Sequence, residues 1–314
     1  MATNEEDTQK LPDIPKKSVY QFIRDVRKRN CIQINSETNL CGSILTLRCK
    51  NFCLYDSGSE DCERIIVFST EDNLSHLKHS KFWVCDGTFK VVPREFTQLY
   101  TIHGHVFNKV LPFVFILMSN KSERSYERAI QIIKEKGNLE LPPNIIIDFE
   151  MAAFNAFEKE SKHSVSFCLF NLGQRVFRKS QKLGLSKLYQ QNNDFRLFVK
   201  CVTSLAFVPS DFVNVEWEKL LNEAQKLNIK DLNLFFIYVE KNFIKSNKYP
   251  IESWNAYSRT LNDIPLTSNN AESFHRHFYN RFDQAHSGLL TFIENLKGRQ
   301  STVEQEAMFY LCNL

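Results

Sequence analysis

The sequence predicts an α/β protein: a mixed β-sheet with helices on its faces, joined to an all-helical stretch that precedes one last helix of the site. Three observations carry this. Apolar runs of strand length recur between residues 64 and 169, bounded by polar or turn residues. Helical stripes alternate with the later runs. Beyond Leu169 the periodicity is helical, with no convincing strand as far as about Asp263.

In chain order, residues 1 to about 17 are polar and charged, with Pro12 and Pro15, and are expected to be disordered. Ser18 to Arg29 places Val19, Phe22, Ile23 and Val26 at helical spacing. The basic end, Arg27-Lys28-Arg29, reads as a solvated helix terminus or as a weak nuclear signal. Five cysteines follow, Cys31, Cys41, Cys49, Cys53 and Cys62, but they form no C-x2-C pair and no histidine precedes His76. Zinc sites use clustered ligands, so no zinc is assigned.

RIIVFS, Arg64 to Ser69, is a short apolar strand, and Glu71 to Leu77 a small helix. Three strands are then expected: Phe82 to Asp86, Phe96 to His103 with its alternation, and Val110 to Met118, apolar on both faces and so central in a sheet. Ser122 offers an N-cap to a helix whose stripe is Tyr126, Ala129, Ile130 and Ile133, with Gly137 as its stop. Asn144 to Asp148 is a further buried strand, Glu150 to Glu160 a helix, and Val165 to Leu169 a last strand. From Phe82 the order is three strands, helix, strand, helix, strand, which suggests a mixed sheet and is also the element order of the RNase H-like fold. Helical segments follow at Leu172 to Leu183, Phe195 to Leu205, Trp217 to Leu227 and Leu232 to Phe243. Thr267 to Asn270 then caps a helix, Ala271 to Phe282, that can return to the sheet.

Bulk properties narrow the function less. Of 314 residues, 43% are hydrophobic and 24% charged, and 27 are phenylalanine, enough for a sizeable core. A formal charge of +4 allows nucleic-acid binding without selecting for it. The longest apolar run, Val110 to Met118, contains Pro112 and is too short to span a bilayer. The polar, acidic N-terminus is no signal peptide. A soluble intracellular protein with reduced thiols is therefore expected.

Two acids occupy equivalent points of the pattern. Asp86 closes the first strand of the expected sheet core and Asp148 the fourth, while Glu272 opens the helix after the helical stretch. Phosphodiester cleavage and strand transfer need an activated oxygen and a neutralised leaving oxygen, which two Mg2+ ions about 4 Å apart can supply. Mg2+ favours carboxylate oxygens and keeps several waters. Each acid also has an ordinary alternative: Asp86-Gly87 as a hairpin turn, Asp148 as a helix N-cap, Glu272 as a first-turn acid favoured by the helix dipole. Periodicity alone does not select these three from 36 acidic residues.

Four blocks carry a family likeness. FWVCDGTFKVVPREFTQLYTIHG, PPNIIIDFEMAAFNAF, FCLFNLGQRVFRK and TSNNAESFHRHF resemble successive blocks of the Mutator-like element (MULE) transposase domains, over about Arg64 to Phe282. The resemblance implies an RNase H-like, DDE-type enzyme that cuts and joins DNA. It implies Asp86, Asp148 and Glu272 as catalytic and metal-holding residues, Mg2+ or Mn2+ as cofactor, transposon-end and target DNA as partners, and the nucleus as location. It also implies a helical insertion, here about residues 170–265, within a domain of residues 64–314 that follows an N-terminal region of residues 1–63. It leaves room for a homo-oligomer and for no membrane partner. One position departs from the pattern: Cys168 is present where the family has Cys-x2-His, but residue 171 is Asn, which cannot titrate near neutral pH.

Arg175, Arg178, Lys179 and Lys182 share helical spacings and are expected to bind phosphates from one face, unless they form a solvated surface. His275 and Arg276 are expected near the scissile phosphate, and Trp217 and Trp254 in the core. About 64 residues precede the likeness and about 32 follow it, with no helix-turn-helix or zinc finger evident. A domesticated, catalytically silent DNA-binding descendant is therefore the alternative to an active transposase, and an RNase H-like nuclease acting on RNA is a third reading.

Overall fold

The computed structural model describes residues 39–106, 109–161, 164–226, 232–282 and 286–312. The expected N-terminal helix and disordered tail, and Cys31, lie outside the described residues. Seven strands form one sheet: β1 (Cys53–Asp56), β2 (Ile65–Phe68), β3 (Phe82–Thr88), β4 (Gln98–Val106), β5 (Lys109–Met118), β6 (Asn144–Ile147) and β7 (Ser164–Phe167). Their spatial order is β1-β2-β5-β4-β3-β6-β7. The β3–β6 and β6–β7 pairs are parallel, and the other pairs antiparallel.

The apolar run of β5 is central, as its composition predicts: β4 pairs along its whole length and β2 along its last four residues. Pro112 is accommodated because β2 reaches only Phe115 to Met118, so its missing N–H breaks no ladder on that side. The register of β4 shifts between Ile102 and His103, opposite this proline. Residues before Arg64 also belong to the sheet. β1 pairs with β2 at its edge, and the turn between them is closed by a buried, two-point pair: Arg64 Nη2 and Nε donate to the Asp56 carboxylate at 2.7 and 2.9 Å.

Helices cover both faces. α1 (Glu71–Lys78) is capped by Thr70, whose hydroxyl accepts from the Asn73 N–H. α2 (Glu123–Gly137) starts at Ser122, which caps the Ser125 N–H, and buries the expected Tyr126, Ala129, Ile130 and Ile133 stripe. It ends one residue later than Gly137 predicts, at Asn138, whose φ of 43° places it in the left-handed region. α3 (Met151–Glu160) packs beside α2.

The long helical stretch follows directly. Leu169, read as the end of a strand, instead opens α4 (Leu169–Lys182). Then come α5 (Ser186–Gln191), α6 (Asn193–Ser204), α7 (Val213–Gln225) and α8 (Leu232–Val239), the last running into a π turn at Glu240–Ile244. Short helices α9 (Ile251–Trp254) and α10 (Tyr257–Leu261) lead to α11 (Asn269–Tyr279) and α12 (Leu289–Cys312). Phe195, Phe198, Phe235, Phe236 and Trp217 pack edge to face at the centre of this stretch. Trp217 and Trp254 are both buried core residues, as expected. Among the described residues no helix is long and apolar enough to cross a membrane.

Candidate active site

β3 and β6 lie side by side and run the same way. Phe82, Trp83 and Val84 pair with Asn144, Ile145 and Ile146. The same register continued two residues sets Asp86 beside Asp148, on strands about 4.8 Å apart. Asp86 does not open a turn: β3 runs on to Thr88, and Asp86 and Gly87 pair with Thr101 and Tyr100. A Cβ at Gly87 would stand 2.9 Å from the Gln98 side-chain oxygen, which accounts for glycine inside a strand. Nor is Asp148 a helix cap. Glu150 takes the N-cap position of α3, and Asp148 Oδ1 is buried without a hydrogen-bond partner.

α11 crosses the same sheet face. Alternate residues Phe82, Val84 and Ile146 form a small buried cluster with Ala271 and Cys168, so Asp86, next in that alternation, points towards α11. Glu272 sits in the first turn of α11, and His275, three residues on, shares its side of the helix. His275 Nδ1 lies 3.2 Å from Asp86 Oδ2, and its Nε2 lies 3.0 Å from Thr101 Oγ1. Thr101 in turn lies 3.0 Å from His103 Nε2. Complete burial, then the neighbouring His275 and Arg299, holds His103 well below the usual histidine range, so it is neutral. Thr101 Oγ1 also donates to the Asp86 backbone carbonyl at 3.2 Å, so one hydroxyl joins both imidazoles to β3. His275, expected near the scissile phosphate, is buried against Asp86.

The electrostatics tie Asp148 and Glu272 each to Asp86. Burial, then the charges of Asp86 and Glu150, pushes the Asp148 carboxyl up to about 7, against the pull of Lys121 and Arg175. Burial, then Asp86, also raises Glu272. Among the described residues no three acid, histidine or cysteine side chains are close enough together to hold a metal ion as they stand. The donor chemistry nevertheless suits a divalent cation: hard carboxylate oxygens only, one of them buried and unpartnered, with Asp148 and Glu272 both raised in part by the charge of Asp86.

Two neighbours went unread in the sequence. Lys121, just after β5, ion-pairs with Glu150 at 2.9 Å and lies 4.4 Å from the centre of the half-exposed Phe89 ring. The signal for the histidine network was present: Thr101 and His103 alternate onto one strand face, and His275 follows Glu272 by one turn.

The basic stripe divides. Arg175 donates to the Phe149 carbonyl at 2.7 Å and lies over the Phe149 and Tyr249 rings; Lys179 lies over Tyr238. Arg178, Lys182 and Arg276 are exposed. Cys168 is buried, and its Sγ accepts from the Ser268 N–H at 3.3 Å, tying the start of α4 to the start of α11. Asn171 sits half-buried in the first turn of α4. Of the early cysteines, Cys41, Cys49 and Cys62 are exposed and Cys53 is buried.

The paired strand ends and the helix block that follows them agree with one known sequence pattern. Residues 82–175 match the MULE transposase domain. The likeness read from the sequence is thus borne out over that span. The MULE match runs from the first residue of β3 to the middle of α4, so it includes Asp86, Asp148, Cys168 and Arg175 and ends before Glu272. No curated protein matches the chain.

Proposed function

We propose that the chain is a DDE-type DNA transposase with an RNase H-like core, in which Asp86, Asp148 and Glu272 hold Mg2+ or Mn2+. The observation that carries this reading is Asp148 Oδ1, buried without a hydrogen-bond partner at the end of a strand parallel and adjacent to the one that carries Asp86, within the MULE-matched segment. The order β5-β4-β3-β6-β7, antiparallel and then parallel, supports the RNase H-like assignment, and the helices between β7 and α11 then form the insertion. The bound cations would activate the attacking oxygen and neutralise the leaving one.

The chain's own residues prepare that chemistry. His275 fixes one face of the Asp86 carboxylate. Lys121 and Arg175 favour the ionised form of Asp148. Arg178, Lys182 and Arg276, exposed, are the groups left to meet the phosphate backbone of transposon-end and target DNA. The place of work would be the nucleus. A homo-oligomer would let two such sites act on two ends.

The test is nicking and strand transfer on transposon-end DNA with Mg2+ or Mn2+. Asp86→Asn is expected to abolish both while leaving the fold intact. Equal activity in Asp86→Asn would remove the mechanism, and salt-sensitive DNA binding without cleavage in the unmodified chain would leave a silent DNA-binding descendant.

A further inference from the structure

Beside β7 lies a cleft of about 470 Å³, lined by Asn144, Ser166, Glu252, Ser258, Arg259 and Asn262 among others. Its notable member is Arg259, only 5% exposed. A guanidinium has five N–H donors. Here Nη1 donates to the Pro265 carbonyl at 3.3 Å, and Nη2 to those of Phe167 and Asn255 at 3.2 and 3.4 Å. Nε–H is buried without an acceptor. Among the described residues no carboxylate lies within ion-pairing distance of Arg259; Glu252 lines the cleft but is exposed. Burial lowers the guanidinium to about 10, so it remains charged at neutral pH. A buried cation that meets only carbonyl dipoles, beside an open polar cleft, lacks a counter-anion.

The position says which anion. Ile264 lines the cleft and also packs against Phe82, Val84, Ile146 and Ala271, so the cleft opens on the sheet face that carries α11 and the acids. Asn144, in the lining, precedes Asp148 by four residues, roughly 13 Å along a strand. That is the reach of a few nucleotides. We propose that this cleft seats a backbone phosphate of the DNA strand a few nucleotides from the cut, with Arg259 as its cation and the lining hydroxyl and amide groups as further donors. The choice of DNA rests on the function proposed above; the oxyanion chemistry does not.

The test follows the Arg259 Nε–H resonance in 15N-labelled protein, titrated separately with inorganic phosphate and with a single-stranded oligonucleotide. The oligonucleotide is expected to move it at concentrations well below those needed for phosphate. Asn262→Asp, an exposed change at the rim, is expected to weaken oligonucleotide binding about tenfold and to lower the salt slope of log K by about 0.7, one phosphate contact. Glu252→Gln should tighten it. A resonance unmoved by either ligand overturns the site, and one moved by inorganic phosphate alone overturns the assignment to DNA. Nicking in Mg2+ is scored independently. Protein that fails to nick yet shifts with oligonucleotide keeps the cleft and loses the nuclease; protein that nicks with an unmoved resonance loses the cleft alone.

Discussion

Asp148 makes the chemistry of the site measurable without any activity assay. Its carboxyl sits near 3.8 when unfolded and is pushed up to about 7 by burial and by Asp86 in the fold. Between those values the native state binds more protons than the unfolded one, so stability falls as pH rises through that window and the loss is complete above about 7. Asp148→Asn is therefore expected to raise the Tm of metal-free protein at pH 8 and to leave it unchanged near pH 4. The gain is on the order of 4 kcal/mol at most, three pKa units at 1.36 kcal/mol each. Added Mn2+ is expected to raise the Tm of the unmodified chain, and the same variant is expected to lose that gain. A Tm at pH 8 no higher than that of the unmodified protein refutes the assignment of an uncompensated buried acid. His275→Ala removes the donor that orients Asp86, and Mn2+ affinity measured by calorimetry is expected to fall about 10- to 100-fold; unchanged affinity means that His275 positions nothing. At this scale the sequence was only partly legible. Asp86 and Asp148 were singled out by resemblance, since nothing in periodicity distinguishes them from the other acids. The His103–Thr101–His275 chain needs the pairing of β3 with β4 and the crossing of α11, which no local pattern encodes.

Elements were read more reliably where burial sets the pattern. β2 to β6 and the helices α4, α6, α7 and α8 fall close to their expected places because each carries a run or stripe that must be covered. β1 escaped notice because CLYD has no alternation; its place depends on a contact across the turn, the buried Asp56–Arg64 pair, with Asp56 also accepting from the Leu40 and Gly58 N–H groups. Asp56→Ala would leave a buried guanidinium without its carboxylate and is expected to cost about 3–5 kcal/mol in urea unfolding. A loss below about 1 kcal/mol would show that the strand is held by its backbone ladder alone. Asp-Gly at the end of β3 misleads for a related reason: local turn chemistry yields to the β4 ladder beside it.

For the molecule as a whole, a charge of +4 leaves DNA affinity dependent on where the cations point. Helical spacing alone put four basic residues on one face; packing withdraws Arg175 and Lys179 onto aromatic rings and leaves Arg178 and Lys182 outside. The double variant Arg178→Ala, Lys182→Ala is expected to weaken duplex binding equally for all sequences and to reduce the salt slope by about 1.8, two phosphate contacts. A change confined to one DNA sequence would mean that these residues read bases.

The two aspartates lie within residues 82–148, but the helix that brings Glu272 and the tether for Asp86 is encoded far downstream, starting at Asn269. At about 5–20 residues per second, a ribosome spends roughly 6–25 s between Asp148 and Glu272. During that interval the nascent chain holds two of the three acids, which the β3–β6 register can align, but lacks the third. If the proposed chemistry is right, a copy whose synthesis has not passed Glu272 is incapable of cutting DNA, however well its sheet has formed.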